Sequence, residues 1–226
     1  NEVRSAKLTA LHLGFKTRLF DNRLQINSEA FYYDYRDLFA SAYNTVLNTN
    51  QTFNAAKVEI YGNQLDILFR PTSDDQLSLS VGYLHARNKS FDLPPGTVFP
   101  GMPTNYDGLQ LQYAPDWTIS AGYHHDFQLA RGYIRAQAYS RFESSFFADF
   151  NQTPGGRQKP YTKTDASLTY FAENGRWNAG VWVKNIEDEP VQAATASGSN
   201  QPFVPIAAST FLEPPRTFGV RVGLNL

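Results

Sequence analysis

From Leu11 to Leu19 hydrophobic and polar residues alternate one by one. Leu11, Leu13, Phe15, Thr17 and Leu19 fall on one side; His12, Gly14, Lys16 and Arg18 fall on the other. Successive side chains of a strand point to opposite faces, so the pattern predicts a strand with one apolar and one wet, basic face. Asp21-Asn22 predicts a tight turn. A second arm opposes Leu24, Ile26, Ser28 and Ala30 to Arg23, Gln25, Asn27 and Glu29, and ends in Phe31, Tyr32, Tyr33 and Tyr35. Each arm is roughly twice the ~5–6 residues usual for a soluble strand. It suits the ~9–11 tilted residues that carry a barrel wall across a bilayer. The expectation is a transmembrane β-hairpin.

The same alternation recurs down the chain. A third strand is predicted over Lys57–Arg70, with Val58 and Ile60 on one parity and Leu65, Ile67 and Phe69 on the other. A bulge near Gly62 would reconcile them. Leu77, Leu79, Val81 and Tyr83 mark a fourth strand, and Trp117, Ile119, Ala121 and Tyr123 a fifth. Leu109, Leu111 and Tyr113 read either as a separate strand or as the upper end of the fifth. Ile134–Ala138, Ala166–Tyr170, Trp177–Val183 and Phe218–Leu226 carry the remaining strands. Connections alternate: short turns at Asp21-Asn22, Pro71–Asp75, Ala130–Gly132 and Glu173–Gly175, long loops at 87–106, 143–160 and 187–215. Outer-membrane barrels connect strands in this way. The alternation holds if Leu109–Tyr113 belongs to strand five, which gives nine strands. Single-chain bacterial barrels have even counts, so an odd count predicts part of a larger barrel. A soluble β-sandwich also alternates; strand length and alternating loop length set this chain apart.

Composition changes the picture in three places. The 226 residues carry a formal net charge of -1, which gives no hint of nucleic acid as a partner. No apolar run approaches the ~18 residues of a membrane helix, whereas a barrel wall averages to a polar composition. Aromatics make up 15% of residues, an excess that suits interfacial girdles. Cys is 0, so neither a disulfide framework nor thiol chemistry enters. The chain opens Asn-Glu-Val-Arg without Met or a signal peptide, so the expectation is the later part of a longer chain.

Candidate chemistry is sparse. His124-His125-Asp126 invites a metal or proton-relay reading, but adjacent strand residues point to opposite faces and cannot share an ion. The run reads as a lumen His, an interfacial His and a turn Asp. Glu187-Asp188-Glu189 offers a charge run rather than the converging oxygens of a calcium site. Neither a nucleophile elbow nor a phosphate loop is written here. A barrel enzyme would need a His paired with a carboxylate or Ser at the loop end; His85 is the His so placed, and its parity is outward. No enzyme activity, metal or cofactor is expected.

Five stretches in succession carry a resemblance. They are LGFKTRLFDNRLQINSEAFYYDYRDL, AAKVEIYGNQLDILFRP, YAPDWTISAGYHHDF, YTKTDASLTYFAENGRWNAGVWVKNIEDEP and PPRTFGVRVGLNL. In order and spacing the chain resembles the C-terminal half of the barrel of TonB-dependent outer-membrane receptors, over essentially its whole length. The resemblance implies an all-β fold: residues 1–226 as the last nine strands of an antiparallel, roughly 22-stranded barrel with a plugged lumen. It implies the outer membrane of a Gram-negative bacterium and import of a scarce nutrient, such as siderophore-bound iron, cobalamin or a glycan. The partners implied are outer-membrane lipid, the small-molecule ligand, the remaining strands and plug, and the TonB energy-transducing complex acting through that plug. A passive porin or adhesin is the rival reading. The family usually ends in an aromatic residue; this chain ends in Leu226.

Ligand contact is expected from the long loops and upper wall, at Tyr43, Phe53, Arg87, Phe91, Tyr106, Phe146, Phe147, Arg157 and Phe203. Phe99, Phe150 and Phe211 belong to the same loops. Aromatic faces suit sugars or aryl siderophores, and Arg suits carboxylates. The register also sets expectations for faces. Trp117 and Phe127, ten residues apart on one parity, span about 25 Å of a tilted strand and mark the outer and inner aromatic girdles. Trp182 should face the lumen. The first and last strands should both present free edges, because each awaits a neighbour outside this sequence.

Overall fold

A computed structural model describes residues 3–44, 46–91, 93–97, 105–150, 152, 154–197 and 208–225. One antiparallel sheet dominates. Its strands are β1 (Lys7–Leu19), β2 (Leu24–Asn44), β3 (Thr49–Phe69), β4 (Asp75–Phe91), β5 (Trp117–Leu129), β6 (Gly132–Glu143), β9 (Tyr161–Ala172), β10 (Trp177–Lys184) and β13 (Thr217–Leu224). They lie side by side in that order, nine strands wide. Two small ladders decorate the loops, β7 (Phe146–Phe147) with β8 (Arg157–Gln158), and β11 (Gln192–Ser197) with β12 (Ala208–Leu212). Among the described residues β1 and β13 each have a strand neighbour on one side only, and they do not pair with each other. Both edges are open, as the alternation implied.

The register threads one continuous apolar face through all nine strands. Residues directly opposite in an antiparallel ladder share a face. Phe15, Ser28, Leu65, Val81, Ile119 and Phe142 form one such row. Ala136, Leu168, Val181 and Val220 form another. This face is bare: Leu13 is 79% exposed and Val220 74%. Exposed apolar surface on this scale marks an interface with another apolar phase. The opposite face carries Lys16, Asn27, Gln64, Ser80, Arg135, Ser167 and Arg221. Trp117 and Phe127 lie on the apolar face as expected. Trp182 lies on the polar face, over Gly219, where a Cβ would come within 2.6 Å of its ring.

Four expectations need correction. The ladder runs unbroken through Phe31↔Gly62↔Leu84, so there is no bulge at Gly62; the irregularities sit higher, near Leu38 and Val58. The switch of apolar parity in β3 therefore has another cause, a buried cluster at the loop end. β2 and β3 are also longer than predicted, 21 residues each. Tyr43 and Phe53 thus lie on strands, opposite Asn50 and Ala40, rather than in a loop. Leu109–Tyr113 forms no strand. It follows the upper part of β4 through a single Arg87↔Gln110 bridge and a 3.0 Å bond from Leu111 N–H to the Ala86 carbonyl, in the lane β5 leaves free. Asp126 belongs to β5 rather than a turn and pairs with Arg135 through two 2.7 Å bonds.

Candidate functional site

The connections at one end of the sheet are tight; at the other the β2–β3 turn is short and the three later connections are long, so the loop surface available for recognition gathers there. Two buried clusters hold the loops there. In the first, Ala56, Val58, Phe91 and Tyr106 pack together, with Tyr35, Leu38, Ile60, Leu93, Leu109 and Leu111 around them. Tyr106 is 1% exposed and Phe91 2%. The rings of Phe91, Tyr106 and Phe150 meet pairwise at 5.2–5.5 Å. Burial, with Asp149 nearby, pushes the Tyr106 phenol above its ordinary pKa. Asn44 fastens the hairpin tip to this tier. Its Oδ1 accepts from Val46 and Leu47 N–H at 2.9 Å, and its Nδ2 donates to the Pro95 carbonyl at 3.0 Å. In the second cluster Phe146, Ala148, Tyr161 and Val191 bind the β7–β8 loop to the β11–β12 hairpin.

These clusters take in three of the aromatic residues expected to meet ligand, Phe91, Tyr106 and Phe146. Phe91 and Tyr106 are loop core. Phe146 is largely covered too, because it anchors the second cluster. Arg87 is committed to both carboxylate oxygens of Asp116, at 2.7 and 2.9 Å. It stands on the outward parity of β4, away from the inner face. Phe147 is half-buried, and Arg157 opposite it is exposed. Phe203 and Phe99 lie outside the described residues. The described members of the expected ligand set are therefore not gathered in one place.

The structure gathers a different set on the inner, polar face beneath the loops. A hollow of about 860 Å³ is lined by Tyr139, Arg141 and Glu143 of β6, Tyr161, Lys163 and Asp165 of β9, and Lys184 of β10. Gln64, Gly82 and Thr118 complete its wall, and Phe146, Val191 and Glu213 its rim. Arg141 pairs with Glu143, which also accepts from the Tyr161 hydroxyl at 3.0 Å. Lys163 Nζ lies 2.6 Å from Glu213, tying the wall to the last long loop. Asp165 accepts from Asn185 N–H at 3.0 Å. Lys184 Nζ lies 6.0 Å from the Trp182 ring centroid, in cation–π range. Three cations face three carboxylates, so this hollow is balanced and suits a polar ligand held by many hydrogen bonds. Sequence pattern alone did not pick out these residues. Their signal was present: charged side chains on the polar parity of strands, next to long loops.

The remaining candidates resolve simply. His125 bonds Asp75 at 2.7 Å on the outward face, while His124 faces inward, so the two do not converge. His85 stacks on Tyr61 at 4.4 Å, outward as its parity required. Glu187 accepts from Thr164, and Asp188 from Arg216 N–H at 2.8 Å. Among the described residues no three His, Cys, Asp or Glu side chains gather as a metal site would require.

A broad antiparallel sheet with one bare apolar face, one polar face, long strands and alternating connections is the wall of a β-barrel that meets lipid. Residues 7–186 match the family model described as TonB dependent receptor-like, beta-barrel, and the chain belongs to that family. Solved structures agree. The ferric yersiniabactin uptake receptor FyuA from Yersinia pestis matches with a TM-score of 0.69 and 16% identity, over 95% of this chain and 29% of its own. The siderophore receptor PiuA from Acinetobacter baumannii gives 0.70 and 14%, over 95% and 28%. The copper transporter OprC gives 0.70 and 16%, over 100% and 32%. The chain thus spans about three tenths of the length of these structures, and at such identities the likeness concerns the fold. A sequence search of curated proteins found no match.

Proposed function

We propose that this chain forms the C-terminal wall and ligand-binding loops of a TonB-dependent nutrient importer in the outer membrane of a Gram-negative bacterium. The observation that carries the reading is the nine-strand sheet with a continuous bare apolar face and two open edges. Unpaired backbone groups in hydrocarbon cost several kcal/mol each, so such a sheet is stable in a bilayer only as part of a closed ring. The remaining strands of a roughly 22-stranded barrel would close it, and a plug would fill its lumen. The energy of import would then reach the ligand through that plug and the TonB complex. The chain itself carries out no chemistry: it binds, and it lines the path.

Within it, the hollow formed by Arg141, Lys163 and Lys184 with Tyr139 and Tyr161 is the contact surface for the ligand. The siderophore and copper receptors that share the fold support a metal-bearing ligand for this protein also. The test is uptake by the full-length receptor in cells, across labelled ferric siderophores, cobalamin and copper, with and without a functional TonB. Uptake of one ligand that stops when TonB is removed supports the reading. Uptake that persists without TonB would make the protein a passive pore. Replacing Lys163 and Lys184 together by Gln should raise the half-saturating ligand concentration at least roughly tenfold, the scale of one lost charged hydrogen bond. An unchanged value would retire the hollow as the contact surface.

A further inference from the structure

The outward face changes character at the loop end of β1–β4. The lowest row concerned is Leu11, Tyr32, Tyr61 and His85, directly opposite one another across four strands. One step toward the loops lies Thr9, Asp34, Glu59 and Arg87. One further step, Lys7 stands directly opposite Arg36. Lys57 follows on β3 beyond Val58, and Lys89 is the extra residue where the β3–β4 register shifts. An apolar wall thus passes through an aromatic row into a mixed row and then a cationic row, all on one face.

The charges in this patch do not balance. Arg36 pairs with Asp34 at 2.6 Å, Lys89 with Glu59 at 3.2 Å, Arg87 with Asp116 at 2.7 Å, and nearby Arg4 with Asp37 at 3.0 Å. Each acid has its own cation. Lys7 and Lys57 are left over, both exposed, and among the described residues neither has an ion-pair partner. Like charges directly opposite on a ladder repel, as Lys7 and Arg36 must. An anion in front of them would offset that repulsion. Strands lie about 4.8 Å apart, so Lys7 and Lys57 are about 10 Å apart with Arg36 between. Any anion binding here would touch the receptor from the lipid side, at the height of the extracellular headgroups.

We propose that Lys7, Arg36 and Lys57 bind the phosphate groups of an outer-leaflet glycolipid. This rests on the membrane-wall reading above and adds a specific lipid partner to it. The acyl chains of that lipid run down the bare wall formed by Leu11, Leu13 and Phe15. The experiment uses the full-length receptor in detergent, titrated with a bisphosphorylated glucosamine-disaccharide lipid and followed by native mass spectrometry. Heat-modifiable electrophoretic mobility reports barrel assembly separately, so loss of the wall and loss of the cationic row give different results. K7Q/K57Q should weaken lipid binding roughly 30-fold, the effect of two surface charges on an anionic lipid, with assembly unchanged. K7E/K57E should weaken it further, and R131E, a charge change at the opposite end of the sheet, should leave it unaltered. The dephosphorylated lipid should bind no better to the native receptor than to K7Q/K57Q. Equal binding of the phosphorylated lipid by K7Q/K57Q and native receptor would overturn the proposal. So would displacement of the lipid by millimolar inorganic phosphate, which would make this a free-anion site.

Discussion

Strand β3 passes through two environments, and its side chains answer to both. Between Gly62 and Phe69 it belongs to the wall, where Leu65, Ile67 and Phe69 point outward and Gln64 and Asp66 point inward. Above Tyr61 it belongs to the loop tier, where the inward residues Val58 and Ala56 are buried and the outward Glu59 and Lys57 are charged. Backbone and pleat are continuous across the boundary; what changes is which face meets an apolar phase. The wall turns its apolar side away from the protein. The loop tier turns it in against Phe91 and Tyr106, as a water-soluble protein would. Burying a side chain such as Val58 contributes about 1.5–3 kcal/mol. That is ample reason for parity to switch between Val58 and Leu65 without a bulge in β3 itself.

This contrast predicts that the two regions fail independently. The largest effect should come from Tyr106→Ala. Truncating a fully buried aromatic costs about 3–5 kcal/mol, and the loss should fall on the loop tier. Limited proteolysis of the full-length receptor should cut the loops sooner while heat-modifiable mobility stays native. Simultaneous loss of both would show the two regions to be one cooperative unit. Leu168→Arg tests the other side. A cation at mid-height on a lipid-facing strand costs about 2–4 kcal/mol. It should lower the denaturant midpoint of the barrel in bilayers and leave loop cleavage unaltered.

Two glycines sharpen the comparison within the wall itself. A Cβ at Gly62 would meet the Tyr83 carbonyl at 2.2 Å and the Phe31 ring at 2.8 Å. At Gly82 the nearest atom is 3.8 Å away. Gly62→Ala should therefore destabilise the barrel by about 1–3 kcal/mol through overpacking, and Gly82→Ala should change the denaturant midpoint little. Equal midpoints for the two variants would break the register described for β3 and β4. The smallest effect belongs to Lys163→Gln. Its pair with Glu213 is partly exposed and is worth about 1 kcal/mol or less. Protease sensitivity of the β11–β12 hairpin should rise slightly, with no change in barrel assembly.

The wall was legible in the sequence because its rule is local. A strand that meets lipid on one side and water on the other must alternate, and Leu11 to Leu19 or Trp177 to Val183 states this without reference to any neighbour. The loop tier was not legible for the same reason in reverse. Nothing near Phe91 or Tyr106 in sequence says that Val58 waits to cover them. An aromatic in a loop reads equally as ligand platform or loop core until its partners are known. The hollow of Arg141, Lys163 and Lys184 was half legible, since parity placed these residues inward and the adjacent loops placed them high.

The sequence by itself determined the nine wall strands, their faces, and most of the turns and long loops between them. Each follows from a period of two and from punctuation by Gly, Pro, Asn and Asp. Only the tertiary structure decided how far β2 and β3 rise beyond the wall, which loop aromatics are buried, and which cations stand together. Those depend on residues far apart in the chain: Lys7 meets Arg36 across a hairpin, and Lys163 meets Glu213 across the last long loop. Alternation fixes a residue's face; height and company are set by register and packing, which no short stretch of sequence contains.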